Sequence, residues 1–184
     1  LLRVGGGTTL NLDHATTFGS TFRLEGGTLA GSGAVNISGA FTWAGGSMAG
    51  SGVTTLTGNT VIDNTSAYKF LGRRLDVSGN LSFGNSSGYY LQIGNGGTLH
   101  LNATGQLSTS TVNGLIYMAA GAGGAAMVSA DAGAVINAGD GTTLTINTDG
   151  NSGNLIGGTF ALTGTTVFGS GVLGTSGATA FTGG

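Results

Sequence analysis

The chain carries little strongly reactive chemistry: seven carboxylates, two histidines, five basic side chains and no cysteine among 184 residues. Cleaving a polysaccharide calls for two or three carboxylates converging on one face, with raised and lowered acidities to divide the work of acid and base. Here Asp13, Glu25, Asp63, Asp76, Asp131, Asp140 and Asp149 are spread singly along the sequence. The nearest couples, Arg23 with Glu25 and Asp13 with His14, read as surface pairs rather than as an acid and its base. No serine is placed by spacing beside a histidine and an aspartate. His100 alternates with Leu99 and Leu101 and is expected to face solvent as a lone imidazole. The expectation is therefore no catalytic residue and no cofactor-binding residue, with a polysaccharide-active β-helix enzyme as the remote alternative.

Three weaker constellations remain. Asn147, Asp149 and Asn151 have the spacing of the first three oxygen ligands of a calcium loop, but Gly158 stands where a bidentate Glu should close the set. A polar turn in which Asn and Asp bond their own backbone is the preferred reading, so no metal is expected. The threonines Thr54, Thr55, Thr57, Thr142, Thr143 and Thr145 raise the idea of a flat, ice-ordering array, although threonine suits the outer side of any strand. Among the aromatics, Tyr89, Tyr90, Tyr117 and Trp43 are candidates for stacking on sugars. Trp43 aligns with Leu24 in the repeat described below and belongs to the core, whereas the adjacency of Tyr89 and Tyr90 forces one of them outward.

Charge narrows the partners. All five basic residues, Arg3, Arg23, Lys69, Arg73 and Arg74, lie in the first 74 positions, and the net charge is −2. Phosphate binding rests on clustered Lys and Arg, so a nucleic-acid partner is not expected. The group Lys69, Arg73 and Arg74 reads as a solvated turn. No apolar run approaches the roughly 18 residues of a membrane helix, and no membrane insertion is expected.

The elements that must position these residues are strands. The 40 glycines would suggest disorder, but a hydrophobic fraction of 39% with only 7% charged residues describes a chain that folds. Gly26–Gly39 reads GGTLAGSGAVNISG, and nineteen residues on, Gly45–Gly58 reads GGSMAGSGVTTLTG. That offset places Phe22 on Phe41, Leu24 on Trp43, Leu29 on Met48 and Ile37 on Leu56. Apolar positions two apart, as in Phe22 and Leu24, have the strand period, and the Gly and Ser between them are turn residues. A period near twenty that holds several short strands is the signature of a solenoid whose coils stack about 4.8 Å apart.

A second motif recurs as GTTLNLD from Gly7, GGTLHLN from Gly96 and GTTLTIN from Gly141. Its last spacing is 45 residues, so coil length must vary or a loop must intervene. From Leu115 to Gly139 the apolar residues turn small, which predicts a narrower or more tightly packed core. Asn95-Gly96, Asn113-Gly114, Asp140-Gly141 and Asp149-Gly150 would suit antiparallel hairpins, but hairpins do not require like residues at a fixed offset, and parallel coils do. The absence of Pro fits a ladder bonded on both sides.

The runs AFTWAGGSMAGSGVTTL, YKFLGRRLDVSGNLSF and YYLQIGNGGTLHLNATGQL resemble the β-strand repeats of very large bacterial surface and secreted proteins, among them autotransporter passengers and filamentous-haemagglutinin-like exoproteins. The resemblance spans about Thr21 to Leu107. It implies a right-handed parallel β-helix, export, and a part in adhesion, cell-surface architecture or fibre formation, and it carries no catalytic residue.

Residues 1–184 are thus expected to form a single all-β domain, a parallel β-helix with coils of about 19–22 residues and about nine coils in all. Neither Leu1–Gly7 nor Ala178–Gly184 reads as a polar cap, so the domain is expected to be a segment of a longer solenoid or a fibre subunit. The expected function is an extracellular or cell-surface structural and adhesive rod that stacks on flanking coils or on itself. The alternative is a glycan- or receptor-binding adhesin module.

Overall fold

The computed structural model describes residues 1–63, 67–85, 89–109, 112–119, 124–138 and 142–147, and beyond them the strands Gly153–Ile156, Thr159–Leu162, Thr165–Phe168, Val172–Thr175 and Ala180–Gly183 by their backbone pairing. Every strand pairing is parallel, and the chain is a β-solenoid.

A coil has three faces. The third is an eight-stranded sheet with one strand per coil, running from Thr16–Phe18 through Val35–Ile37, Thr54–Leu56, Arg74–Val77 and Thr98–Leu101 to Val172–Thr175. The first and second faces belong to one fifteen-stranded sheet that bends along its length. The bend is visible in the two long strands Phe22–Ala30 and Phe41–Met48. Phe41, Thr42 and Trp43 pair with Thr60, Val61 and Ile62 on the first face, whereas Gly46, Ser47 and Met48 pair with Lys69, Phe70 and Leu71 on the second. Gly46 makes the corner at φ 85, where a Cβ would run into the backbone of Gly26 and Gly27 in the coil before it.

Side chains alternate in and out, and the inward ones stack like on like. On the first face Phe22, Phe41, Thr60, Leu81, Leu107 and Ile136 form one buried column, and Val4, Leu24, Trp43, Ile62, Phe83, Thr109 and Ala138 form another. The rings of Phe18, Phe22 and Phe41 lie nearly parallel, with centroids 5.1 and 5.2 Å apart. Most coils thus contribute an apolar side chain to each column, with Thr60 and Thr109 the buried polar members, and burial of the apolar ones is the main stabilising term. Small residues fill the core where the sequence predicts it, as Ala126, Ala130, Ala134 and Ala138 are all buried.

Coil length departs from the expected 19–22 residues. Phe22 to Phe41 and Phe41 to Thr60 are 19 residues each, but Leu81 to Leu107 is 26 and Leu107 to Ile136 is 29. The strands stay short and the corners grow. The Gly-Thr-Leu motif explains the odd spacing of 45, since Thr9–Asn11 and Thr143–Asn147 belong to the second face and Thr98–Leu101 to the third. The motif marks entry into a strand rather than a position in the coil. Asn95-Gly96 does adopt a turn with positive φ at both residues, 52 and 74, but it joins the second face to the third and makes no hairpin.

Candidate functional site

The growth of the corner between the first and second faces builds the most distinctive surface of the molecule. All four tyrosines of the chain meet there. The pairing of Lys69 with Leu91 sets Tyr68 beside Tyr90 in adjacent coils, and the Lys69 N–H donates to the Tyr90 carbonyl at 3.2 Å. Their ring centroids are 4.5 Å apart with planes inclined by 48°. Tyr89 meets Tyr68 edge-on at 5.0 Å, and Tyr117, one coil further, lies 5.9 Å from Tyr90. Tyr68 and Tyr117 are exposed, while Tyr89 and Tyr90 are half-buried against them. A neighbouring outward column on the same face holds Phe70, Gln92 and Tyr117 in register. Among the described residues this platform spans three coils and presents rings, an amide and hydroxyls without an exposed charge.

The sequence singled out Tyr89, Tyr90 and Tyr117, and the structure brings them together. It missed Tyr68. The signal was the register of Tyr68-Lys69-Phe70-Leu71 on Tyr90-Leu91-Gln92-Ile93, which puts one tyrosine on the other. Trp43 is fully buried, as its alignment with Leu24 required, and its Nε1 finds no acceptor among the described residues.

Lys69 and Arg73 overturn the expectation of a solvated turn; only Arg74 remains outside, paired with Asp76 at 2.6 Å. Leu71 must point inward to continue the column of Leu29 and Met48, so Lys69, two residues earlier, points inward too and Phe70 points out. The Lys69 ammonium donates to the Ala67 carbonyl at 2.6 Å and lies 6.0 Å from the centre of the Tyr89 ring. Burial lowers its pKa to about 8, against the opposing pull of the Asp63 carboxylate. Arg73 is buried at the corner between the second and third faces. It donates from Nε to the Gly52 carbonyl at 2.6 Å, from Nη1 to Ala49 at 3.2 Å and from Nη2 to Gly33, two coils away, at 3.2 Å.

The buried lysine has a consequence for stability. Its folded pKa lies below the unfolded value near 10.4, so the unfolded chain binds more protons between about pH 8 and 10.5, and stability rises with pH across that window. Keeping the charge inside at pH 7 costs on the order of 3 kcal/mol by that shift. Lys69→Met is expected to stabilise the protein at pH 7 by about 1–3 kcal/mol, as apolar replacements of buried charges often do, and to flatten the rise toward pH 9.5. Urea midpoints at pH 7 and 9.5 check this, and a variant less stable at pH 7 would show that the ammonium's contacts outweigh its desolvation.

Of the remaining candidates, Arg3 and Arg23 stack in register, and Glu25 answers both. It accepts from Arg3 at 2.9 and 3.0 Å and from Arg23 at 2.5 Å, and Arg23 above all holds its carboxyl below the usual range. Asp13 caps the next coil rather than serving His14. It accepts the N–H and hydroxyl of Ser32 at 3.1 and 3.2 Å, and that backbone bond is the first cause of its lowered pKa. The threonine array does not form, since Thr54 and Thr142 are buried and Thr143 and Thr145 lie on a different face from Thr55. Asp149, Asn151 and the side chain of Asn147 lie outside the described residues.

One cluster was not anticipated. His100 is not a lone, solvated imidazole; its Nδ1 is 2.8 Å from the Ser129 hydroxyl and its Nε2 is 3.4 Å from the Asp131 carboxylate in the next coil. Nucleophile, base and orienting carboxylate are thus adjacent. They lie on the outward side of the parallel sheet where Leu99, His100 and Leu101 pair with Val128, Ser129 and Ala130. The backbone N–H groups of these strands are taken up by the parallel ladder on either side.

Compared with known proteins, the chain is matched by no family model, by no curated protein and by no solved structure.

Proposed function

We propose that this chain is the load-bearing and adhesive part of an extracellular β-solenoid rod, and that it holds its target, a neutral polysaccharide, on the tyrosine platform. The observation that carries the reading is the gathering of all four tyrosines on one outward surface, in register with the stacked coils. Pyranose rings present flat C–H faces that pack on aromatic rings, with hydroxyls at the edge for phenol and amide groups. The rise between coils, about 4.8 Å, is of the size of one sugar in an extended chain, so successive rings can meet successive residues of a glycan. The platform's neutrality argues against an anionic target, and the sparse basic residues argue against nucleic acid.

The scaffold fits the mechanical half of the reading. Each coil is tied to its neighbours by parallel ladders and by like-on-like apolar columns, which makes a stiff, extensible stack. Further coils or a second copy would lengthen it in the same way. The resemblance of Thr21–Leu107 to bacterial surface and secreted repeat proteins points in the same direction.

The test is binding to insoluble neutral polysaccharides and a glycan array. The unaltered protein is expected to be retained, and Tyr68→Ala and Tyr117→Ala are each expected to weaken binding by about tenfold, as loss of an exposed aromatic contact worth about 1–1.5 kcal/mol would do, with unchanged circular dichroism. Absence of binding to any neutral glycan, or full binding by the double variant, would refute the platform as the adhesive surface.

A further inference from the structure

The tyrosine corner also carries a reading in which no glycan takes part. We propose that Tyr68 and Tyr90 form a modification site at which oxidation joins two successive coils through a dityrosine bond. Their centroid separation of 4.5 Å is the shortest of the ring contacts among the described residues. Separation and 48° inclination are close to those of two aromatic rings joined directly by a carbon–carbon bond. The backbone holds them there, because the Lys69 N–H bonds the Tyr90 carbonyl and the next three residues of each segment are paired in the ladder. Tyr68 is exposed and Tyr90 half-buried, so a diffusible oxidant reaches the first, the radical passes to its neighbour, and a second one-electron oxidation of Tyr68 supplies the other radical.

The chemistry needs an oxidant of the peroxide class, used through a peroxidase. Each phenol gives up one electron and its hydroxyl proton and becomes a phenoxyl radical with spin density on the ring carbon ortho to oxygen. The two ortho carbons form the new bond. Each ring then regains aromaticity as its displaced ortho hydrogen passes to the oxygen, restoring both hydroxyls. Two tyrosines and one hydrogen peroxide give one dityrosine and two waters. A chain with no cysteine has no disulfide to staple its coils, and this bond would join positions 22 apart in sequence and close a loop that contains the strand Lys69–Leu71 and ends just before Leu91–Ile93.

Peroxidase with limiting hydrogen peroxide, applied to the folded chain at low concentration, is the experiment. Dityrosine fluorescence is expected in the monomer, with a cross-linked peptide pair containing Tyr68 and Tyr90 that has lost two hydrogens in mass. Tyr68→Phe and Tyr90→Phe, which keep the rings and remove the phenols, are expected to reduce it to background, whereas Tyr89→Phe and Tyr117→Phe leave it intact. The bonded form is expected to unfold at a higher temperature than the unbonded one. Cross-links found only between molecules, formed equally in urea, or persisting in Tyr90→Phe would overturn the proposal.

Discussion

Arg73→Ala is expected to remove about 3–5 kcal/mol of stability, because breaking a buried charged contact leaves its partners stranded. The guanidinium holds the carbonyls of Gly33, Ala49 and Gly52, which lie outside the strands at one corner of the solenoid. Gly52 leaves the space it occupies, since a Cβ there would run into Arg73 Nη2. In the alanine variant the corner carbonyls lose their donor and the slot empties. Arg73→Lys is expected to fall between the two, since an ammonium lacks the planar fork that reaches three acceptors at once. Urea denaturation gives the ranking, and hydrogen exchange is expected to rise at the corners holding residues 31–34 and 49–53. If alanine and lysine variants lose less than about 1 kcal/mol, an amount typical of one ordinary hydrogen bond, water replaces the guanidinium and the staple is not structural.

Much of this was legible where coils are of equal length. The offset of nineteen that sets Phe22 on Phe41 and Leu24 on Trp43 is the ladder register itself, since in a parallel stack a repeated sequence and a repeated position coincide. The sequence lost the register beyond Thr60, where corners lengthen and the offset drifts to 29. That drift hid the meeting of His100 with Ser129 and Asp131, residues that are adjacent only once the intervening corner is known. It also hid the buried lysine. Residue type favours Phe70 inside and Lys69 outside, but the column of Leu29, Met48 and Leu71 fixes the phase of the strand, and alternation then puts Lys69 in and Phe70 out. The same phase makes the platform, because it turns Phe70 and Tyr68 toward the surface on which Tyr90 and Tyr117 lie. Composition could name the aromatic candidates, whereas only register could assemble them.

Phe41→Ala tests the layered core most directly. The ring lies between Phe22, at 5.2 Å, and the Trp43 ring at 6.4 Å, and it is fully enclosed. Truncating a buried phenylalanine costs about 3–5 kcal/mol, through lost transfer energy and the cavity left behind. In a globular core that loss lowers one cooperative transition. In a stack of coils each layer touches only its neighbours, and stability is roughly a sum of coil and interface contributions. The cost should therefore fall on the interfaces that residue 41 makes with Phe22 on one side and Thr60 on the other. Hydrogen exchange is expected to accelerate in residues 2–48 while the strands Arg74–Val77 and Thr98–Leu101 keep their protection, and the unfolding curve is expected to split into two steps. A single transition displaced as a whole, with uniform loss of protection, would mean that the coils are coupled more tightly than nearest-neighbour stacking allows.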